Sequence, residues 1–295
     1  MNTTTILQRI RQAAYIGDAA AFPEYTDAKL LQEASDRLRT IFSETVQRSR
    51  SGYALKTQLV TTTTQTVRVP DRSLNAGIHS IELKRPNNGW APLQEVLPED
   101  QYLFDSKPPT ATPTRFTLEG GDIRLLPPLS QSVDLRIRYY LRPSTLQTAQ
   151  TAGLVASVTG TQVTVNVLPV NQVTLATIAT GDAVDSIRPQ GWCEPTTISE
   201  IVSVSGTTLT YPTPVEGIIR SGDYIRAADQ TDWPMVPEEY HRLLADLTAI
   251  VVLREMGIED KAGIAASQAS RDLERFTDSL APRVQTQPRK IRIRW

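Results

Sequence analysis

The sequence predicts an α+β fold: an antiparallel helical bundle built from both ends of the chain, a large β-rich insertion of sandwich or small-barrel type, and an extended C-terminal arm. Three observations carry this. Helical periodicity is confined to residues 4–46 and 237–280. Between these stretches the apolar spacing switches to two, and Thr and Val become frequent. The final "KIRIRW" alternates strictly, with Lys290, Arg292 and Arg294 on one side and Ile291, Ile293 and Trp295 on the other.

Residues 1–52 hold the N-terminal helices. Over 4–17, Ile6, Ile10, Ala13 and Ala14 recur at helical spacing, with Gly17 placed to end the helix. After the loop "DAAAFPEY", Thr26 or Asp27 opens a longer helix. Its stripe is Leu30, Leu31, Ala34, Leu38, Ile41, Phe42, Thr45 and Val46, and Gly52 follows the last turn.

Residues 53–146 read as an antiparallel β region. "LKTQLVTTTTQTVRV" supplies one or two strands, and "TRFTLEGGDIRLLPP" is a hairpin turning at Gly120-Gly121. In "SVDLRIRYYL", Val133, Leu135, Ile137, Tyr139 and Leu141 alternate with Asp134, Arg136 and Arg138, the pattern of a sheet with one wet face. Pro143 ends that strand. Residues 147–228 form a compact β module of five or six strands, with hairpins at Thr159-Gly160 and Ser205-Gly206 and two Gly-Asp turns, in "TGDAVDSI" and "SGDYIRAA".

Residues 229–281 return to helix. Pro237 stands at the first helical position, with Glu238 and Glu239 in the first turn where the helix dipole favours acids. Leu243, Leu244, Leu247, Ile250, Val251 and Val252 make a broad apolar face, and Gly257 ends the helix. A second helix runs from about Asp260 to Leu280. Pro282 stops it, and 282–295 form the extended arm.

Charge and composition exclude several classes. Lys+Arg 31 against Asp+Glu 32 gives a net charge of −1, which disfavours a general nucleic-acid binder. The single cysteine, Cys193, forbids an internal disulfide, fits a reducing compartment, and reads as a small, partly buried hydrophobe in preference to a nucleophile. The N-terminal residues lack a signal-peptide pattern and no apolar run reaches membrane-spanning length, so a soluble chain made in the cytoplasm is expected.

No catalytic, cofactor or metal constellation is predicted. His79, placed near a turn ahead of "SIELK", and His241 have no companions at metal-ligand spacing. "EGGD" is followed by a strand rather than a helix, so it is not a phosphate loop. Asp182, Asp185, Glu194, Asp223 and Asp229 are candidates to pair or to bind calcium, but the Gly-Asp turns account for two of them as turn residues, and the turn reading is preferred to a metal site. Trp90, Trp192 and Trp233 read as buried anchors.

The C-terminal block "SGDYIRAADQTDWPMVPEEYHRLLADLTAIVVLREMGIEDKA" resembles the closing segment of head–tail connector (adaptor, neck) proteins of tailed bacteriophages. The phrase that carries the likeness is Pro237, Glu238, Tyr240, His241, Leu243 and Leu244, followed by a second helix and Pro282-Arg283. Tyr140, Arg142, Pro143 and Leu146 match a mid-chain phrase of the same family, and "FPEYTDAKLLQEASDRLRTIFSETV" fits its opening helices. The likeness leaves 147–228 unmatched.

That resemblance implies a non-enzymatic virion protein forming a ring, often dodecameric, at the portal vertex. Its partners would be the portal protein, copies of itself and a downstream neck or tail-terminator protein, with packaged DNA passing through without sequence-specific binding and no membrane contact. Pro237, Tyr240, His241 and Leu244 would set the helix start. Arg289, Lys290, Ile291, Arg292, Ile293, Arg294 and Trp295 would add as a strand to a partner's sheet edge. A solvated basic tail and a DNA-phosphate contact are the other readings of the arm. The other class of function is a β-rich tail, baseplate or surface module that binds a receptor or glycan through 147–228.

Overall fold

The computed structural model describes residues 2–17, 22–46, 53–87, 89–148, 153–166, 183–188, 196–198 and 201–280. It is mixed α+β, as the periodicities predict. In chain order the elements begin with α1 (Thr3–Ala13) and α2 (Asp27–Ile41), the latter prolonged by a π-helical turn at Phe42–Val46. Then come β1 (Leu55–Thr62), β2 (Thr66–Arg68), β3 (Ser73–Lys84), β4 (Trp90–Pro92), β5 (Gln94–Glu95), a 3-10 turn at Pro98–Asp100 and α3 (Tyr102–Asp105). They are followed by β6 (Arg115–Glu119), β7 (Asp122–Leu126), β8 (Val133–Leu141), β9 (Thr145–Leu146), β10 (Gly153–Thr159) and β11 (Gln162–Asn166). Next are β12 (Val184–Ile187), β13 (Thr196–Ile198), β14 (Ser203–Ser205), β15 (Thr208–Thr210), β16 (Tyr224–Ala227) and β17 (Gln230–Thr231). A 3-10 turn at Glu238–Tyr240 leads into α4 (His241–Glu255) and α5 (Glu259–Leu280).

The chain divides into two compact units. One joins the residues up to Phe42 with Pro143–Ser279; the other is Ser43–Arg142. The strands after Pro143 therefore share a unit with the terminal helices.

In the first unit, Asn2 caps α1 by accepting a hydrogen bond from Thr5 N at 3.0 Å, and Ile6, Leu7 and Ile10 are buried. The helix ends earlier than Gly17, at Ala13. Tyr15 adopts φ 60°, and Tyr15 N and Ile16 N donate to the carbonyls of Gln12 and Arg11, a Schellman closure with tyrosine in the left-handed position. Thr26 caps α2 through Lys29 N, and the predicted stripe from Leu30 to Val46 is buried. Within that stripe Ser35 Oγ donates to the Leu31 carbonyl at 2.7 Å and accepts from Leu146 N at 2.9 Å, which fastens β9 to the helix.

α4 is buried over most of its circumference and packs against both α1 and α2. It ends on a second Schellman closure, with Gly257 at φ 73° and Ile258 N donating to the Leu253 carbonyl. α5 is different. It buries Ala262, Ala269 and Phe276, spaced by seven, plus Leu280 at its end, and leaves most of the remaining surface half-buried or exposed.

Among the described residues the β portion of this unit is an antiparallel seven-stranded sheet in the order β13-β12-β16-β10-β11-β15-β14, together with the parallel two-stranded pair β9–β17. The sequence predicts five or six strands. β13 and β14 have three residues each, too short to show a period of two. Val155, Val163, Val165, Val184, Leu209 and Ile225 share its core. Gly160 and Gly206 open the two-residue hairpin loops at φ 56° and 57°, one residue later than the first turn residues named from the sequence.

The second unit has two four-stranded sheets, β1-β8-β3-β4 and β2-β7-β6-β5, sharing a core that includes Ile81, Leu83, Phe116, Ile123, Leu125, Leu135 and Ile137. β8 lies between β1 and β3, antiparallel to both, and its burial alternates as predicted until Tyr139, where Tyr140 is the buried residue. His79 is not ahead of a strand. It lies inside β3, exposed, where the register with β8 shifts between Ile78 and Ser80. A bulge erases the alternation that would have revealed the strand.

Nothing lies within 4 Å of the place a Cβ on Gly257 would occupy, so Gly257→Ala tests backbone conformation alone. It is expected to lower stability by about 1 kcal/mol, read as a shift in the denaturation midpoint at unchanged slope.

Candidate functional site

The helix start named from the sequence is a packed joint. Pro237 precedes a 3-10 turn, closed by Tyr240 N donating to the Pro237 carbonyl at 2.9 Å, and the α-helix proper begins at His241. Pro237 is therefore not the first α-helical residue. Its φ of −54° suits the turn, which interposes Glu238–Tyr240. His241 is fully buried, and its Nε2–H donates to the Val236 carbonyl at 2.9 Å, which fixes the tautomer. The edge of its ring meets Trp233 at 5.8 Å. Tyr240 packs on Phe276 of α5 at 4.7 Å, and Leu244 is fully buried. These four residues position helices.

Behind this joint lies a buried polar cluster that sequence reasoning missed. Arg226 on β16 and Asp232 just past β17 are both almost fully buried. Arg226 Nη2 donates to the Thr148 carbonyl at 2.7 Å. Arg226 Nε and Nη1, both oxygens of Asp232, Trp233 Nε1 and Thr3 Oγ1 have no hydrogen-bond partner among the described residues. The Asp232 carbonyl accepts from Thr3 N at 2.9 Å, so the cluster also holds the start of α1. Tyr224 stacks on Trp233 at 6.2 Å. Asp185, opposite Arg226 in the β12–β16 register, accepts from Asp229 N at 3.1 Å and Ser144 Oγ at 3.4 Å.

The electrostatics follow from burial. Desolvation pushes the Asp232 carboxyl up to about 6, against the pull of Arg226. Desolvation likewise lowers the Arg226 guanidinium to about 10, opposed by Asp232. The one hint in the sequence is that Arg226 and Asp232 stand three residues either side of Asp229, whose φ of 66° makes the turn that brings them to one place.

The other candidates divide as follows. Asp223 accepts from Arg188 Nε and Nη2, both at 3.0 Å, and from Arg220 N, so it locks a turn. The Arg136 guanidinium lies 4.6 Å over the Trp90 ring. Asp182, Trp192, Cys193, Glu194 and the whole arm from Arg289 to Trp295 lie outside the described residues. Among the described residues no group of three or more His, Cys, Asp or Glu could hold a metal ion, and no helix is long and apolar enough to cross a membrane.

A groove of about 510 Å³ runs between α1, α4 and α5. Tyr15 and Ile264 lie exposed at it, with Arg9, Arg242 and Lys261 around them. Among the described residues the one acid lining it, Asp246, is 4.0 Å from Arg9 and 3.3 Å from Arg242. A second groove, lined by Arg37, Ile250, Val251, Ala266 and Leu273 among others, separates α5 from α2 and α4 on the other side.

No known protein family and no curated protein matches the chain.

The Asp232 carboxyl binds its proton more tightly in the folded chain than at its ordinary 3.8. Between pH 4 and 6 the folded state therefore holds a proton that the unfolded state releases, and this group's contribution to stability falls as pH rises through that window. Relative to Asp232→Asn, the wild type should gain about 2 kcal/mol between pH 7 and pH 4.5 in denaturant titrations. Arg226→Met leaves the carboxylate without its countercharge and should cost about 3 kcal/mol at pH 7 and distinctly less at pH 5.

Proposed function

We propose that this chain is a structural head-to-tail adaptor of a phage virion, a ring-forming protein docked on the portal that extends the DNA channel and joins it to the next neck or tail component. The observation that carries the reading is α5. A 22-residue helix that buries only a narrow stripe and is flanked by two open grooves has surface left for neighbouring chains to cover. The residues that match the adaptor phrase, Pro237 to Leu244, are used for positioning helices, which suits an architectural role.

The arm adds the second contact in this reading. Arg289 to Trp295 would extend a sheet edge on the portal or on a neighbouring copy, the main chain giving affinity and Ile291, Ile293 and Trp295 filling pockets. One short strand binds weakly, and repetition around a ring multiplies it through effective concentration.

Co-sedimentation with purified portal rings tests the reading. The full-length chain is expected to pellet with the rings in a saturable ratio, and deletion of Lys290–Trp295 is expected to weaken that binding at least tenfold. A chain that stays in the supernatant at every concentration contradicts the adaptor role.

A further inference from the structure

Among the described residues eight large apolar side chains are exposed, and five of them gather in two places. Leu97, Tyr102 and Leu103 stand 65%, 67% and 48% exposed on the stub formed by the 3-10 turn at Pro98–Asp100 and α3. Tyr15 and Ile264 stand 62% and 65% exposed at the groove between α1, α4 and α5. Isolated exposed apolar residues need no explanation, whereas clusters mark contact surfaces.

The two patches carry opposite charge. From Val96 to Ser106 the stub holds Glu99, Asp100 and Asp105 and no base. Asp105 is used internally, accepting from Arg124 at 2.9 Å and from Gln101 at 3.0 Å. Glu99 and Asp100 are exposed and face solvent. The groove presents Arg9, Arg242 and Lys261 against Asp246.

Both patches are also held rigid. Besides the Asp105 contacts, Phe104 is flanked by the cations of Lys107 and Arg115, each 4.6 Å from its ring centre, so the stub displays Leu97, Tyr102 and Leu103 from a fixed base. At the groove, Tyr15 occupies a left-handed position where glycine would cost less, and the Lys261 ammonium lies 3.7 Å from its ring centre. A strained, exposed tyrosine points to a use outside the fold. Preorganised aromatic and apolar anchors within a complementary charged rim are what a protein contact requires.

We infer that the acidic stub at 97–105 of one copy seats in the basic α1–α4–α5 groove of the next copy. Leu97 and Tyr102 cover Tyr15 and Ile264, and Glu99 and Asp100 meet Lys261 and Arg242. The two surfaces differ, so the contact is heterologous and propagates, closing into a ring when the rotation permits. This gives the proposed adaptor its subunit contact and rests on that reading only for its biological setting.

Two charge-reversed chains test it by sedimentation velocity. Glu99→Lys/Asp100→Lys reverses the stub and Arg242→Glu/Lys261→Glu reverses the groove. Wild type is expected to self-associate, each variant alone to sediment as monomer with its apparent Kd raised at least tenfold, and an equimolar mixture of the two to recover association. Alongside, a photo-cross-linking benzoylphenylalanine in place of Tyr102 in the otherwise wild-type chain should yield adducts to peptides of α1, α4 or α5 from a second copy. Wild type that remains monomeric with no such adduct overturns the contact, as does an equimolar mixture that stays monomeric while wild type associates. Portal binding that fails while the charge-swap rescue succeeds overturns the adaptor reading and leaves this contact standing.

Discussion

The constraint around which the first unit is arranged is the burial of a guanidinium and a carboxylate, Arg226 and Asp232, each the other's countercharge with no hydrogen bond between them, near where strands and helices meet. The path of the chain explains why so much depends on them. β16 carries Arg226 into the interior, the turn at Asp229 reverses the chain, and β17 pairs in parallel with β9, which Ser35 fastens to α2. The Asp232 carbonyl then holds the first residue of α1, Trp233 packs between Tyr224 and His241, and Pro237 opens the way into α4. A charge pair with unsatisfied hydrogen-bonding atoms is a costly way to join two layers, since an apolar pair of the same size would often serve as well. The constraint it imposes is one of position, since burying either charge without the other costs more than burying both.

The second unit uses ordinary means. Two sheets share one apolar core, and their polar faces carry ion pairs such as Arg136 with Glu82 and Lys84 with Asp134. Exposed pairs of the latter kind contribute little, so this unit stands on the burial of Ile81, Ile123, Leu125 and Leu135.

What the sequence revealed and what it hid follow from length of pattern. The α2 stripe, its cap at Thr26 or Asp27, the Gly257 stop, the β6–β7 hairpin and the alternation of β8 as far as Arg138 rest on local signals, so they could be read directly. The end of α1 was misplaced because tyrosine fills a position where glycine is the usual signal. β5, β9 and β17 have two residues apiece and pair in parallel with distant partners, which leaves no periodicity to detect. At the candidate site, the sequence marked the helix start about one turn early, at Pro237, because a 3-10 turn intervenes before His241. The Arg226–Asp232 cluster was not legible, because a lone basic residue in a four-residue strand reads as its wet face, whereas Ile225 and Arg226 are both buried.

The central claim is that the terminal helices and the seven-stranded sheet behave as one cooperative body through that buried pair. Native-state hydrogen exchange in rising denaturant measures this directly. The account predicts that core amides of α1 and α4 and those of β12 and β16 converge on one opening free energy with one denaturant dependence. Helical amides that stay protected while the sheet opens separately, at a lower free energy, would contradict it.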